Sequence, residues 1–136
     1  MSERLENYIT TILPKMEGWC SPEKARAMAE NISEHKPHVF LEIGVFAGRS
    51  LIASALAMQD NGFGVAWGID PWKAGESVLG FNDENAKWWS ALNHEVIYQK
   101  CVRHIAELGV APIINLMRMT SAEALLVPTQ HTIAKM

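Results

Sequence analysis

Val39-Phe40-Leu41-Glu42-Ile43-Gly44-Val45-Phe46-Ala47-Gly48-Arg49-Ser50, followed downstream by Gly68-Ile69-Asp70-Pro71-Trp72, decides how the rest of this chain is read. The first stretch begins as a short apolar run, Val39 to Leu41 with Ile43, which predicts a parallel strand buried on both faces. Glu42 stands at the strand's C-terminal end, and glycines at 44 and 48 frame a turn that opens into the apolar helix Leu51 to Met58. The second stretch reads as the end of the next strand, closed by an acid. Strand, glycine turn, helix, strand, acid is the layout of a nucleotide-binding βαβ unit.

Each residue type has a physical reason to be where it is. Gly44 lacks a Cβ, so the backbone can turn sharply and a ligand can lie against it. Gly48 permits close approach at the start of the helix. Glu42 is poorly explained as core, because a carboxylate among apolar neighbours is costly unless it is paired; Arg49 and the lysines are the candidate partners. At a strand's C-terminal end it sits where open α/β sheets bind ligands. Asp70 faces the same crevice, where a carboxylate can accept hydrogen bonds from ribose hydroxyls. Asp-Pro also starts turns on its own account, which is the structural alternative for Asp70. Trp72 is suited either to covering a ligand or to anchoring the loop.

Composition narrows the class. The chain has 136 residues, 49% hydrophobic and 20% charged, the profile of one globular domain. A chain of this length buries roughly two thirds of its unfolded surface. A net charge of −3 gives no field for nucleic acid or an anionic membrane. No apolar run approaches the roughly 20 residues that span a bilayer. The polar start Met1-Ser2-Glu3-Arg4 has no secretory pattern, and Cys20 and Cys101 form no disulfide framework; both fit a cytoplasmic protein. His35, His38, His94, His104 and His131 are scattered without metal-ligand spacing, so no metal is expected. Trp88 and Trp89 read as packing residues rather than a stacking platform for bases.

Taken in order, Leu5, Tyr8, Ile9, Ile12, Leu13 and Met16 lie on one helical face, interrupted by Pro14. Ser21-Pro22 is a helix start, and the helix from Pro22 to about His35 places Ala25, Met28, Ala29 and Ile32 together. Asn61-Gly62-Phe63-Gly64 is a turn before strand two, Val65 to Ile69. An irregular, aromatic-rich stretch follows from Trp72 to Trp89 on the ligand side of the sheet. Helical pattern returns from Ala86 to Leu108, with Ile97, Cys101, Ile105 and Leu108 on a face and Gly109 as the stop. Strand three is Ile113 to Leu116, and Thr120 or Ser121 caps a last short helix. The expected architecture is α/β, a partial Rossmann-like three-layer sandwich of about three parallel strands. N-terminal helices occupy 1–36 and a βαβαβ core 37–126 of a single domain spanning 1–136.

Glu42-Ile43-Gly44-Val45-Phe46-Ala47-Gly48-Arg49-Ser50 with Gly68-Ile69-Asp70-Pro71-Trp72 resembles the class I S-adenosylmethionine-dependent methyltransferases, in particular those with a Glu-Ile-Gly-x-x-x-Gly-x-Ser loop. Gly18-Trp19-Cys20-Ser21-Pro22-Glu23-Lys24-Ala25 and Thr120-Ser121-Ala122-Glu123-Ala124 are similar to further segments of that family, so the resemblance runs from about Gly18 to about Leu125. It implies S-adenosyl-L-methionine as cofactor, held by Glu42, Gly44, Val45, Phe46, Gly48, Ser50, Asp70, Pro71, Trp72, Ser121 and Ala122. Glu42 would take the cofactor's amino group, Asp70 the ribose, and Ser121 with Ala122 the adenine. Phe46 departs from the small residue found there in many methyltransferases. The resemblance also implies a fourth strand with an acidic, histidine-containing motif after Leu126. Val127 to Met136 shows neither, so a chain truncated after strand three is expected, with catalytic residues unidentified.

Three functions follow as alternatives. The first is methyl transfer to a small-molecule acceptor. The second is a non-catalytic remnant that works by dimerising or with a partner, because a first strand without a fourth beside it is an open edge. The third is a nicotinamide-binding half, disfavoured because Gly44-x-x-x-Gly48 lacks the Gly-x-Gly-x-x-Gly spacing and Glu42 adds negative charge beside a pyrophosphate.

Overall fold

Ser2 accepts a hydrogen bond from the Leu5 N–H and starts α1, Glu3–Asn7. Helical backbone continues through a π turn, Tyr8–Ile12, and a 3-10 turn, Leu13–Lys15, where Pro14 ends the run. Leu5, Tyr8, Ile9, Leu13 and Met16 are all buried, as their spacing predicts. The computed structural model describes residues 1–73 and 93–126.

Helix α2 spans Pro22–His35 with the Ser21 hydroxyl accepting from the Lys24 N–H at 3.2 Å. Ala25, Ala29 and Ile32 are its buried stripe. Strand β1 is Val39–Ile43, helix α3 Arg49–Asn61, and strand β2 Val65–Ile69. Helix α4, His94–Glu107, buries Ile97, Cys101 and Ile105 and starts on Asn93, whose side chain accepts from the Val96 N–H. A 3-10 turn, Ala111–Ile113, leads into β3, Ile114–Met117. The short α5, Ser121–Ala124, carries a capping box between Thr120 and Glu123.

The strands form one parallel sheet in the order β1-β2-β3. Val39 pairs with Val65 and Ile43 with Ile69, so the C-terminal ends of β1 and β2 lie side by side. Gly68 is where the sheet admits α3: a Cβ there would stand 2.7 Å from a Leu51 methyl and 2.8 Å from one of Val45. Helix α3 answers with a continuous buried run from Leu51 to Met58. This is a Rossmann-like α/β arrangement of three parallel strands with flanking helices.

Strand β1 departs from its expected burial. Val39, Leu41 and Ile43 are 44%, 54% and 64% exposed, while Phe40 and Glu42 are half-buried. Successive strand residues point to opposite faces, so Val39, Leu41 and Ile43 share one face of the sheet, which the described residues leave uncovered at β1. With a strand on one side only, β1 is also an edge among the described residues. Most of the aromatic-rich stretch, with Trp88 and Trp89, and the tail with His131 lie outside the described residues.

Candidate cofactor site

The site is built where β1 and β2 end. Gly44 and Gly48 have φ of +86° and +98°, and Phe46 between them has φ of +56°. Two glycines and one strained aromatic therefore make the turn. The glycines have different neighbours. A Cβ on Gly48 would meet Cys101 Sγ at 3.1 Å and Ile52 Cδ1 at 3.3 Å, so the close approach there is by α4 and α3. A Cβ on Gly44 would meet nothing within 4 Å. The open surface of the turn is at Gly44.

Asp70 holds this turn in place. Its Oδ2 accepts from the backbone N–H of Val45 at 2.9 Å and of Phe46 at 3.0 Å, and its Oδ1 from the Trp72 N–H at 2.8 Å. Three of about four lone-pair sites on the carboxylate are thereby engaged. Trp72 completes the lock: the ring is buried, its indole N–H donates to the Phe46 carbonyl at 2.8 Å, and it packs edge-on against Tyr98 of α4. Trp72 therefore anchors the loop. Pro71 forces the chain between these two groups and is half-buried.

Glu42 is the opposite case. Its Oε1 accepts from the Ser50 hydroxyl at 2.6 Å. Its Oε2 is buried and has no hydrogen-bond partner among the described residues. Burial, partly opposed by the Ser50 hydrogen bond and reinforced by the Asp70 charge, pushes its pKa up to about 7. Arg49 does not neutralise it with a hydrogen-bonded ion pair, because that guanidinium donates to the Gly18 carbonyl instead.

Residues 17–20 form the facing wall. Besides the Arg49 contact, the Lys100 ammonium pairs with Glu17, and the Trp19 ring lies 5.1 Å from that of Phe46. Together Glu17 to Cys20 and Gly44 to Ser50 (Gly48 excepted) enclose a cleft of about 120 Å³. Behind it, the buried Tyr8 hydroxyl donates to the Arg49 carbonyl at 2.7 Å, joining the N-terminal helical run to the start of α3. Burial raises the Tyr8 pKa and holds the Cys101 thiol up at about 12, so both stay neutral. Two larger concavities lie elsewhere. One of about 550 Å³ is bordered by Met1, Glu30, Glu34 and Asp60, and one of about 500 Å³ runs between α2 and the edge of β1. Neither is lined by the glycine turn, which the smaller cleft is; Glu42 and Asp70 line none of the three.

Glu42, Gly44, Val45, Phe46, Gly48, Ser50, Asp70, Pro71 and Trp72 are thus gathered at one end of the sheet. Ser121 and Ala122 are exposed one strand further out, after β3. Sequence reasoning did not single out Tyr8, Lys100 or Cys101 as supports of the loop. For Tyr8 the available signal is a phenol on an apolar helical face, which must find a hydrogen-bond partner when buried.

The fold is shared with solved structures. An O-methyltransferase of Streptomyces achromogenes involved in tomaymycin synthesis, crystallised with S-adenosylmethionine, matches with a TM-score of 0.52 and 18% identity. The match covers 85% of this chain and 42% of that one. A Klebsiella pneumoniae protein assigned as an O-methyltransferase matches with a TM-score of 0.58 and 14% identity, over 95% of this chain and 49% of that one. The chain has an O-methyltransferase-like fold. It spans about half the length of these structures. No protein-family model matches the sequence, and no curated protein sequence matches it either.

Proposed function

We propose that this chain binds S-adenosylmethionine as part of a methyltransferase acting on a small-molecule acceptor. The observation that carries this is Glu42 Oε2, a buried acceptor without a partner beside a glycine turn that is open at Gly44. A buried carboxylate oxygen left over in this way is suited to an ammonium group. The fold neighbours support the same cofactor, one of them having been crystallised with it.

When bound, the cofactor supplies an already activated methyl group, so the protein's task is mainly alignment. In this reading Glu42 accepts from the amino group, and the first N–H groups of α3 favour the carboxylate. Asp70 has one lone-pair site left for a ribose hydroxyl. Ser121 and Ala122 border the adenine. The cleft of about 120 Å³ suits only the amino-acid end, being smaller than the roughly 300–1,000 Å³ of whole-ligand sites. The rest of the ligand lies across the open strand ends.

One observation favours a second reading beside the first. The open edge of β1 with Val39, Leu41 and Ile43 exposed is a template for another strand, which supports action as a dimer or with a partner.

Calorimetric titration with S-adenosylhomocysteine, with NAD as control, tests the cofactor. Saturable binding that Glu42→Ala and Asp70→Ala both weaken is expected. Binding of NAD alone, or no binding by folded protein, would refute the proposal.

A further inference from the structure

Ser50 is the second residue of α3, in the helix's first turn. Its hydroxyl is turned onto Glu42, 2.6 Å from Oε1. That bond fixes the carboxylate with Oε2 left over, buried and unpartnered. We propose that Ser50 is a positioning residue that holds Glu42 ready for the cofactor's ammonium group, and that cofactor binding is coupled to loss of a proton from Glu42. This deepens the cofactor proposal above and rests on it.

The proton balance is simple. A protonated Glu42 cannot accept from an ammonium group through the oxygen that carries its proton. Binding therefore requires the O–H bond to break, with the proton passing to solvent while the ammonium keeps its three protons. The groups around Glu42 make that proton available near neutrality. Asp70 follows β2 and repels the carboxylate, and Cys20, Tyr8 and Cys101 each interact with it from the facing wall, the N-terminal run and α4. None of these brings a compensating positive charge. Arg49 is next to Ser50 but is committed to Gly18. Among the described residues the Ser50 hydroxyl is the group that lowers the carboxyl's pKa, and the balance of these influences is about 7.

The test compares wild type, Ser50→Ala and Ser50→Thr. Alanine suits a helix, and threonine restores the hydroxyl. First, the Glu42 carboxyl is titrated by carbon-13 NMR in ligand-free protein. Loss of a hydrogen bond to a charged group should raise its midpoint by about one pH unit in Ser50→Ala, with threonine returning it. Second, the Kd for S-adenosylhomocysteine is measured from pH 6 to 9. The ratio of Ser50→Ala to wild type should be about fivefold at pH 7 and should fall toward one as pH rises. The ligand's own titration cancels in that ratio. A ratio that stays constant with pH would overturn the proposal, since it is the mark of a serine that merely touches the ligand. An unmoved carboxyl midpoint would overturn it too. If wild type does not bind S-adenosylhomocysteine at all, the cofactor proposal fails, whereas binding that is indifferent to Ser50 and to pH defeats this inference alone.

Discussion

Glu42→Gln should abolish the pH dependence that one buried carboxyl imposes on stability. The folded state holds this group at a pKa of about 7, against an ordinary value of 4.5. An acid whose folded pKa is raised binds its proton more tightly when folded. Stability is then full below pH 4.5 and is lost as pH rises through 7. A shift of this size corresponds to about 3 kcal/mol when complete, and to about 2–3 kcal/mol between pH 5 and pH 8. Glutamine carries no charge at either pH. It keeps an oxygen for the Ser50 hydroxyl but adds a buried amide, so its absolute effect includes an unknown constant. The change in the difference between variant and wild type with pH is free of that constant. Urea unfolding of both proteins at pH 5 and pH 8 should show the variant gaining about 2–3 kcal/mol relative to wild type at the higher pH. A difference that does not move with pH would mean that water or a cation solvates Oε2, and both the burial and the ligand reasoning would fall. The same variant should lose affinity for S-adenosylhomocysteine, so stability and binding move in opposite directions.

The two turn glycines should separate strain from crowding. Gly44→Ala meets open space but a φ of +86°, so a loss of about 1 kcal/mol is expected; Gly48→Ala adds contact with Cys101 and Ile52 and should lose about 2–3 kcal/mol. Equal losses in urea unfolding would show that crowding at α4 is unimportant. The open edge of β1 should make the isolated chain associate as concentration rises, with Leu41→Lys restoring the monomer. A wild-type monomer at high concentration in sedimentation equilibrium would remove the edge-pairing proposal.

The framework was legible because hydrophobic period and punctuation agree along most of the chain. Ser21-Pro22, Gly62 and Gly109 mark helix ends where the structure has them, and Val65 to Ile69 is a strand with the expected bounds. Strand β1 shows what period alone misses. An apolar run states that a strand is able to be buried on both faces, but what lies against each face is a property of topology. The helix at Arg49 runs on to Asn61 because Gly62, not the last apolar residue, supplies the left-handed cap. Strand three starts one residue late because Ile113 closes the 3-10 turn that begins at Ala111 and includes Pro112.

The site was legible as a set of residues and illegible as a division of labour. Glu42 and Asp70 look alike in sequence: each is an acid closing an apolar strand. Asp70 takes three backbone N–H groups, because its short side chain sits beside the turn and the turn presents donors that otherwise have no acceptor. Glu42 receives one hydroxyl, because its longer side chain reaches under the start of α3, where Ser50 is the donor within range. Only hydrogen-bond geometry separates the two. It leaves one carboxylate largely spent on building the turn, and the other with an oxygen buried at a cost in stability. Removing Asp70 should therefore damage the turn and the ligand site together. Removing the charge of Glu42 should leave the turn standing and stabilise it at high pH. A single pair of variants thus asks which acid builds the site and which one the ligand meets.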